Sequence, residues 1–384
     1  MTHPMKRAAW FAMLIGLTAC AAPELNPPPS DQIARDAANV IDPGQIVALV
    51  PGEAAAARLA TRARQQGYVL LRQDDLASLG FRQLVFRIPR GRDGPTAIAE
   101  LEAIERSATA GVNHAYRLQA EPGGRVYADR LLDWSSSGCA ARLPVGIIDG
   151  AVDSGAAELR NARIVQKDFT GGHPAAVEHG TAVAEIIAGP GRLTGAQIYS
   201  ASVVSDAPEF DEAAGVDTLM RAIDWLAASG VRLVNVSLAG PYNKILDRGL
   251  QAADRKGMVV IAAAGNVGPS SPPRYPAAFS QTIAVTAIDA AMRPYDLAPR
   301  GAHIDFAAPG VDIYLELDGQ GKYLSGTSLA APYVTALVAG EGAAGSVSSV
   351  RHALSGNARD LGEKGPDAVF GNGLPRPGGA CRKG

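Results

Sequence analysis

Three side chains of this chain have the types and positions to hydrolyse an acyl bond together. Ser328 stands at the mouth of the apolar run GTSLAAPYVTALVAG, which begins at Gly326. The first turn of such a helix carries unpaired N–H groups and the positive end of the helix dipole, so a serine oxygen there could attack a carbonyl while the oxyanion is accommodated. Asp149 closes LPVGIIDG, an apolar run that reads as a buried central strand delivering a carboxylate at its C-terminal end. His179 opens HGTAVAEIIAG, whose Val183, Ile186 and Ile187 recur at helical spacing and face inward. In a hydrolase triad Ser328 would be the nucleophile and His179 the base, with Asp149 fixing the imidazole tautomer and stabilising the imidazolium. Taken singly, each has a plainer reading as a turn residue or a helix cap.

The elements that must hold these residues alternate along the second half of the chain. Strands near VGIID, QIYSASVV, RLVNVSL, MVVIAAA and TIAVTAI are separated by helices after Glu178, across VDTLMRAIDWLAA and across ILDRGLQAADRKG. That alternation predicts an α/β domain, a parallel sheet with helices on both faces. Pro332 falls in the first turn of the Ser328 helix, where a missing N–H costs least.

The order Asp, His, Ser and the motifs around all three positions resemble the subtilisin-like serine peptidases. The resemblance extends to MVVIAAAGNVGP, NVSLAGP, Tyr275-Pro-Ala-Ala, IDFAAPG and FGNGL, and so covers nearly everything from about 140 to 375. It implies a catalytic domain over 140–380 that cuts peptide bonds through an acyl-enzyme, with Asn266 as side-chain donor of the oxyanion hole beside the Ser328 N–H. It also implies that an extended peptide adds as a strand beside Ser237, Leu238, Ala239 and Gly240 and near Ala263, Ala264 and Gly265. Arg274, just before Tyr275-Pro276, would lie near the base of the pocket for the side chain preceding the scissile bond. Two readings stay open there: a cation selecting acidic side chains, or an arginine turned to solvent or along the pocket wall.

Three departures from the family pattern stand out. Gly150 replaces the usual Thr or Ser after the aspartate, removing a hydroxyl near the carboxylate. Ala239 stands where a second glycine is commoner, and its methyl narrows the cleft. The connection GPGRLTGA is too short for the calcium-holding loop of secreted bacterial members, so no calcium is expected there, nor any other metal or cofactor. From another class, the rival reading is a non-catalytic scaffold of the same fold that binds peptides.

The chain has 384 residues, a formal net charge of -2 and 47% hydrophobic content, enough for one large core and a small second one. No long basic run points to nucleic acid, and no phosphate-cradling or HExxH pattern is present. Lys6 and Arg7, then AAWFAMLIGL and LTAC, resemble a bacterial lipoprotein signal over 1–19 with Cys20 as the lipidated residue. The resemblance implies a lipid anchor in the cell envelope, at the outer membrane because Ala21 follows Cys20. A Pro-rich tether over 20–43 leads to a β-α-β-β-α-β pattern over 44–118, ending in the strand VNHAYRL. That ferredoxin-like domain resembles the family's propeptides, which template folding and inhibit; a plain interaction domain is the other reading. Residues 119–139 read as linker and processing region, with the cut between about Ala115 and Glu121. Cys139 and Cys381 either form a disulfide or are two free buried thiols.

Overall fold

The computed structural model describes residues 40–118, 121–122, 127–173, 175–205, 213–317, 319–343, 345–379 and 381–382. The signal, Cys20 and nearly all of the tether lie outside the described residues. The first domain runs β1 (Gln45–Val50), α1 (Gly52–Gln65), β2 (Val69–Leu76), β3 (Phe81–Arg87), α2 (Gly94–Ile104) and β4 (Thr109–Val112). Its sheet is antiparallel in the order β2-β3-β1-β4, the ferredoxin-like arrangement. Alternate residues face opposite ways. Ile46, Ala48 and Val50 pack with Leu84 and Phe86 under the domain's own helices, whereas Val47, Leu49 and Val85 join a core shared with the second domain.

The closing strand differs from expectation. It is Thr109–Val112, not VNHAYRL; Ala115–Leu118 forms a separate strand, β5, that leaves the sheet. The chain turns out at Asn113 and His114 because both side chains are engaged by the second domain, as follows.

The second domain continues with β6 (Glu121–Pro122), α3 (Ala128–Leu132), β7 (Cys139–Ala140), β8 (Val145–Asp149), β9 (Arg163–Asp168), α4 (Glu178–Ala188), β10 (Leu193–Thr194), β11 (Gln197–Ser202) and β12 (Ala213–Gly215). Next come α5 (Val216–Ala228), β13 (Leu233–Val236), β14 (Leu238–Ala239), α6 (Lys244–Arg255), β15 (Val259–Ala263), β16 (Thr282–Ile288), β17 (Phe306–Pro309), β18 (Ile313–Leu317), β19 (Gln320–Ser325), α7 (Thr327–Glu341) and α8 (Val347–Gly356). Seven strands form one parallel sheet, in the order β17-β16-β15-β13-β8-β11-β9. Its central strands are apolar on both faces, as burial under helices on both sides demands. Val259, Ile261 and Ala263 point to the core that holds α4 and α7, while Val260 and Ala262 point to the one that holds α5 and α6.

The two domains meet at the N-termini of α5 and α6, where unpaired N–H groups need acceptors. Helix α5 has Gly215 at its cap position and no cap of its own; Asn113 Oδ1, from the first domain, accepts from Asp217 N at 3.3 Å. Helix α6 is capped by Asn243, whose Oδ1 accepts from Ile245 N and Leu246 N. The same amide donates to Val112 O at 2.8 Å and to His114 Nδ1 at 3.0 Å. Ion pairs Arg72–Asp217 and Lys244–Glu102 flank these contacts.

The linker reading of 119–139 needs correction in its second half. Tyr127 and Trp134 are buried in the core of the second domain, with the Tyr127 hydroxyl 2.7 Å from Ile288 O and 2.6 Å from Val311 O. Residues 127–139 therefore belong to the second domain, since two such rings bury large apolar area. Cys139 and Cys381 are disulfide-bonded, with Cα atoms 5.0 Å apart. Their sulfurs pack over Gly340 in the last turn of α7, where an added Cβ would stand 2.4 Å and 2.5 Å from them.

Candidate active site

Asp149, His179 and Ser328 converge at the C-terminal edge of the parallel sheet. The end of β8 delivers Asp149, which has no exposure to solvent, and the first turns of α4 and α7 deliver His179 and Ser328. His179 Nδ1 lies 2.7 Å from Asp149 Oδ1, and His179 Nε2 lies 3.1 Å from Ser328 Oγ. Gly150 N also donates to Asp149 Oδ1 at 2.7 Å, while Asp149 Oδ2 is buried with no hydrogen-bond partner. The reason is steric: a Cβ on Gly150 would stand 2.2 Å from Ala176 O, so the glycine admits a close backbone approach that a serine or threonine would not. Ala151 N uses that approach to donate to Ala176 O at 2.6 Å.

Asn266 follows β15 and faces Thr327, the residue before Ser328. Its Oδ1 accepts from Thr327 N at 3.1 Å and from Thr327 Oγ1 at 3.0 Å, and Thr327 Oγ1 in turn accepts from Gly265 N at 2.9 Å. Those bonds fix the amide, leaving Nδ2 as its donating end beside the first turn of α7. Sequence reasoning missed Thr327, although it lies inside the motif that identified Ser328.

The Ser237–Gly240 edge is paired by the protein's own chain. Strand β5 lies antiparallel between β14 and β12, with Leu118 opposite Leu238, Arg117 opposite Ala239, and Ala115 opposite Gly215. The second edge, Ala213–Gly215, escaped the sequence reading; its signal is a run of small residues just before α5, which lets two backbones come close. Beyond the site, β6 pairs with β19, placing Glu121 opposite Ser325 and Pro122 opposite Leu324. Tyr116 is buried, its ring against Gly240 and its hydroxyl donating to Pro241 O at 3.2 Å. Ala263 and Ala264 are fully buried, so what they offer a peptide is backbone.

Arg274 is half-buried, its Cγ 3.0 Å from where a Cβ on Gly265 would stand. The Ala239 methyl is 3.6 Å from the same point, so both residues close in on Gly265 between the two cleft segments. Among the described residues no group of three or more His, Cys, Asp or Glu is arranged to hold a metal ion, and no helix is long and apolar enough to cross a membrane. Burial shifts two titrations in these elements. Glu185, on α4, is raised to about 7 chiefly by desolvation, with Glu158 and Glu316 adding. His114 is lowered to about 4 by desolvation and by the charge of Arg274.

A subtilase family model matches residues 143–373, more than half of the chain. The chain belongs to the subtilase family. Among its relatives, subtilisin DY of Bacillus licheniformis is 31% identical over 248 residues, covering 61% of this chain and 89% of that one. Subtilisin BL of Lederbergia lenta is 30% identical over 229 residues, covering 56% and 82%. In three dimensions the chain resembles fervidolysin from Fervidobacterium pennivorans, with a TM-score of 0.72 at 19% identity, over 87% of this chain and 60% of that one. This subtilase is therefore a serine endopeptidase with the subtilisin-like α/β fold.

Proposed function

We infer that this subtilase is made as a self-inhibited precursor whose first substrate is its own segment between the two domains. Ser328 Oγ attacks the carbonyl, His179 Nε2 takes the proton, and Asp149 holds the imidazole through Nδ1. The oxyanion is received by the Ser328 N–H and Asn266 Nδ2. His179 then returns the proton to the leaving amine, and water, activated by the same imidazole, releases the acyl group.

One observation carries the reading: the chain pairs on both sides of the site. Leu118 is opposite Leu238 on one side, and Glu121 is opposite Ser325, three residues before Ser328, on the other. Residues 119–120 link these strands, so the cut falls at Leu118–Gln119, Gln119–Ala120 or Ala120–Glu121, inside the wider range expected from the sequence. The released first domain then stays in the cleft as an inhibitor through β5 and the helix caps.

N-terminal sequencing of the processed protein tests this, beside Ser328→Ala, which stays full-length. Active wild type that remains uncut, or a first cut outside these three bonds, overturns it. A fluorophosphonate probe that labels processed wild type and not Ser328→Ala excludes the peptide-binding scaffold. We further propose lipid anchoring through Cys20, so that cutting separates anchor from catalyst. Cell fractionation then finds a soluble catalytic fragment for wild type and a membrane-bound full-length Ser328→Ala.

A further inference from the structure

Pro332 stands four residues after Ser328 inside α7. A helical carbonyl ordinarily accepts from the N–H four residues on, and proline has none. The Ser328 carbonyl instead accepts from Ser237 Oγ at 2.8 Å. Ser237 precedes β14, the edge on which a peptide strand is laid, so this bond ties the nucleophile's backbone to the peptide-binding strand.

The bond continues inward through two fully buried groups. Asn235 Nδ2 donates to Ser237 Oγ at 2.8 Å, and Thr335 Oγ1 lies 3.0 Å from Asn235 Oδ1 and 3.1 Å from Ala331 O. None of Asn235, Ser237, Ser328 and Thr335 has exposed surface, so no solvent competes. A hydroxyl has one proton. When Asn235 donates to Ser237, the Ser237 proton is left to point at the Ser328 carbonyl. If the Asn235 amide turned over, its Oδ1 would take that proton and the Ser328 carbonyl would lose its donor. The single Thr335 proton has two acceptors in reach, Asn235 Oδ1 and Ala331 O; Ala331 O already accepts the helical N–H of Thr335, whereas Oδ1 depends on the hydroxyl, so the proton given to Oδ1 favours the first orientation.

We propose that Thr335 is a positioning residue for peptide hydrolysis: through Asn235 and Ser237 it orients the donor to the Ser328 carbonyl and so fixes the Ser328 backbone against the peptide edge. The inference rests on Ser328 being the nucleophile. Removing the hydroxyl while keeping the side-chain shape lets the amide turn and loosens the first turn of α7, from which the Ser328 N–H and Oγ both project. Small misplacements of reacting groups are costly in rate.

The test compares Thr335→Val, Thr335→Ser, Ser237→Ala and the Thr335→Val/Ser237→Ala double variant. Steady-state cleavage of a peptide substrate is normalised to active sites titrated with a fluorophosphonate, and the melting temperature is recorded for each. Thr335→Val should lower kcat about tenfold with KM within about twofold, and Thr335→Ser should restore it. In the Ser237→Ala background Thr335→Val should have no further effect on kcat, because the donor it orients is gone. An unchanged kcat in Thr335→Val overturns the proposal. So does a Thr335→Ser as slow as Thr335→Val, or an additive loss in the double variant. If wild type itself takes no probe while folded, the reading of Ser328 as nucleophile fails, and that outcome is distinct from the others.

Discussion

At position 150 the absence of a side chain is set by the Ala176 carbonyl, which leaves no room for a Cβ. Supplying the missing hydroxyl by Gly150→Ser should therefore fail to give Asp149 Oδ2 a donor. Overpacking predicts a loss of about 1–3 kcal/mol in chemical denaturation and a lower kcat, where a simple repair would raise kcat. Arg274 packs along Gly265, and two outcomes distinguish its roles. If its charge reaches the side chain before the scissile bond, a peptide-library profile of Arg274→Gly loses preference for Glu and Asp; an unchanged profile assigns the residue to the pocket wall. Glu185 makes a pH prediction. Its folded value of about 7 exceeds the ordinary 4.5, so the folded state keeps a proton that the unfolded state releases. Its contribution to stability is complete below about 4.5 and is lost as pH rises through 7. Glu185→Gln should therefore raise the melting temperature more at pH 8 than at pH 5, in a Ser328→Ala background that prevents self-digestion.

Helices α5 and α6 begin where the first domain touches them, which gives that contact a measurable part in holding the two domains together. Because Asn113 caps α5 from another domain, Asn113→Ala should destabilise full-length Ser328→Ala by about 0.5–2 kcal/mol, read from urea unfolding. His114 sits at the same junction with its folded value depressed to about 4 from 6.5, so its contribution is present above about 6.5 and is lost as pH falls toward 4. The order of elements was largely readable from the sequence, because buried parallel strands are unbroken apolar runs and helices α4 to α6 carry clear periodicity. Asp149, His179, Ser328 and Asn266 were readable because each ends or opens such a run. What was hidden depends on partners far away in the chain. Arg163–Asp168, an edge strand with a mostly exposed pattern, has no apolar run to announce it. Asn113 reads as one more residue of the strand VNHAYRL until α5 is brought to it. The small residues Ala213–Gly215 gain meaning only when β5 is laid beside them.

For the molecule as a whole, the bond between Cys139 and Cys381 closes a loop of 242 residues that encloses the parallel sheet. On the chain-entropy model such closure contributes at most about 5.5 kcal/mol. Dithiothreitol should therefore lower the urea midpoint of Ser328→Ala, and Cys139→Ser/Cys381→Ser should abolish the difference between reduced and unreduced protein. The unequal grip on β5 and β6 has a further consequence. One side of the scissile region runs straight into a docked domain with its own core, whereas the other is held by a two-residue pairing before the chain reaches Tyr127. On the proposed cut, the amine half would drift off first and the acyl half would stay seated. The amine that could reverse the reaction would then be out of reach while water would not, so the geometry would work as a pawl that lets the chain be opened and not rejoined.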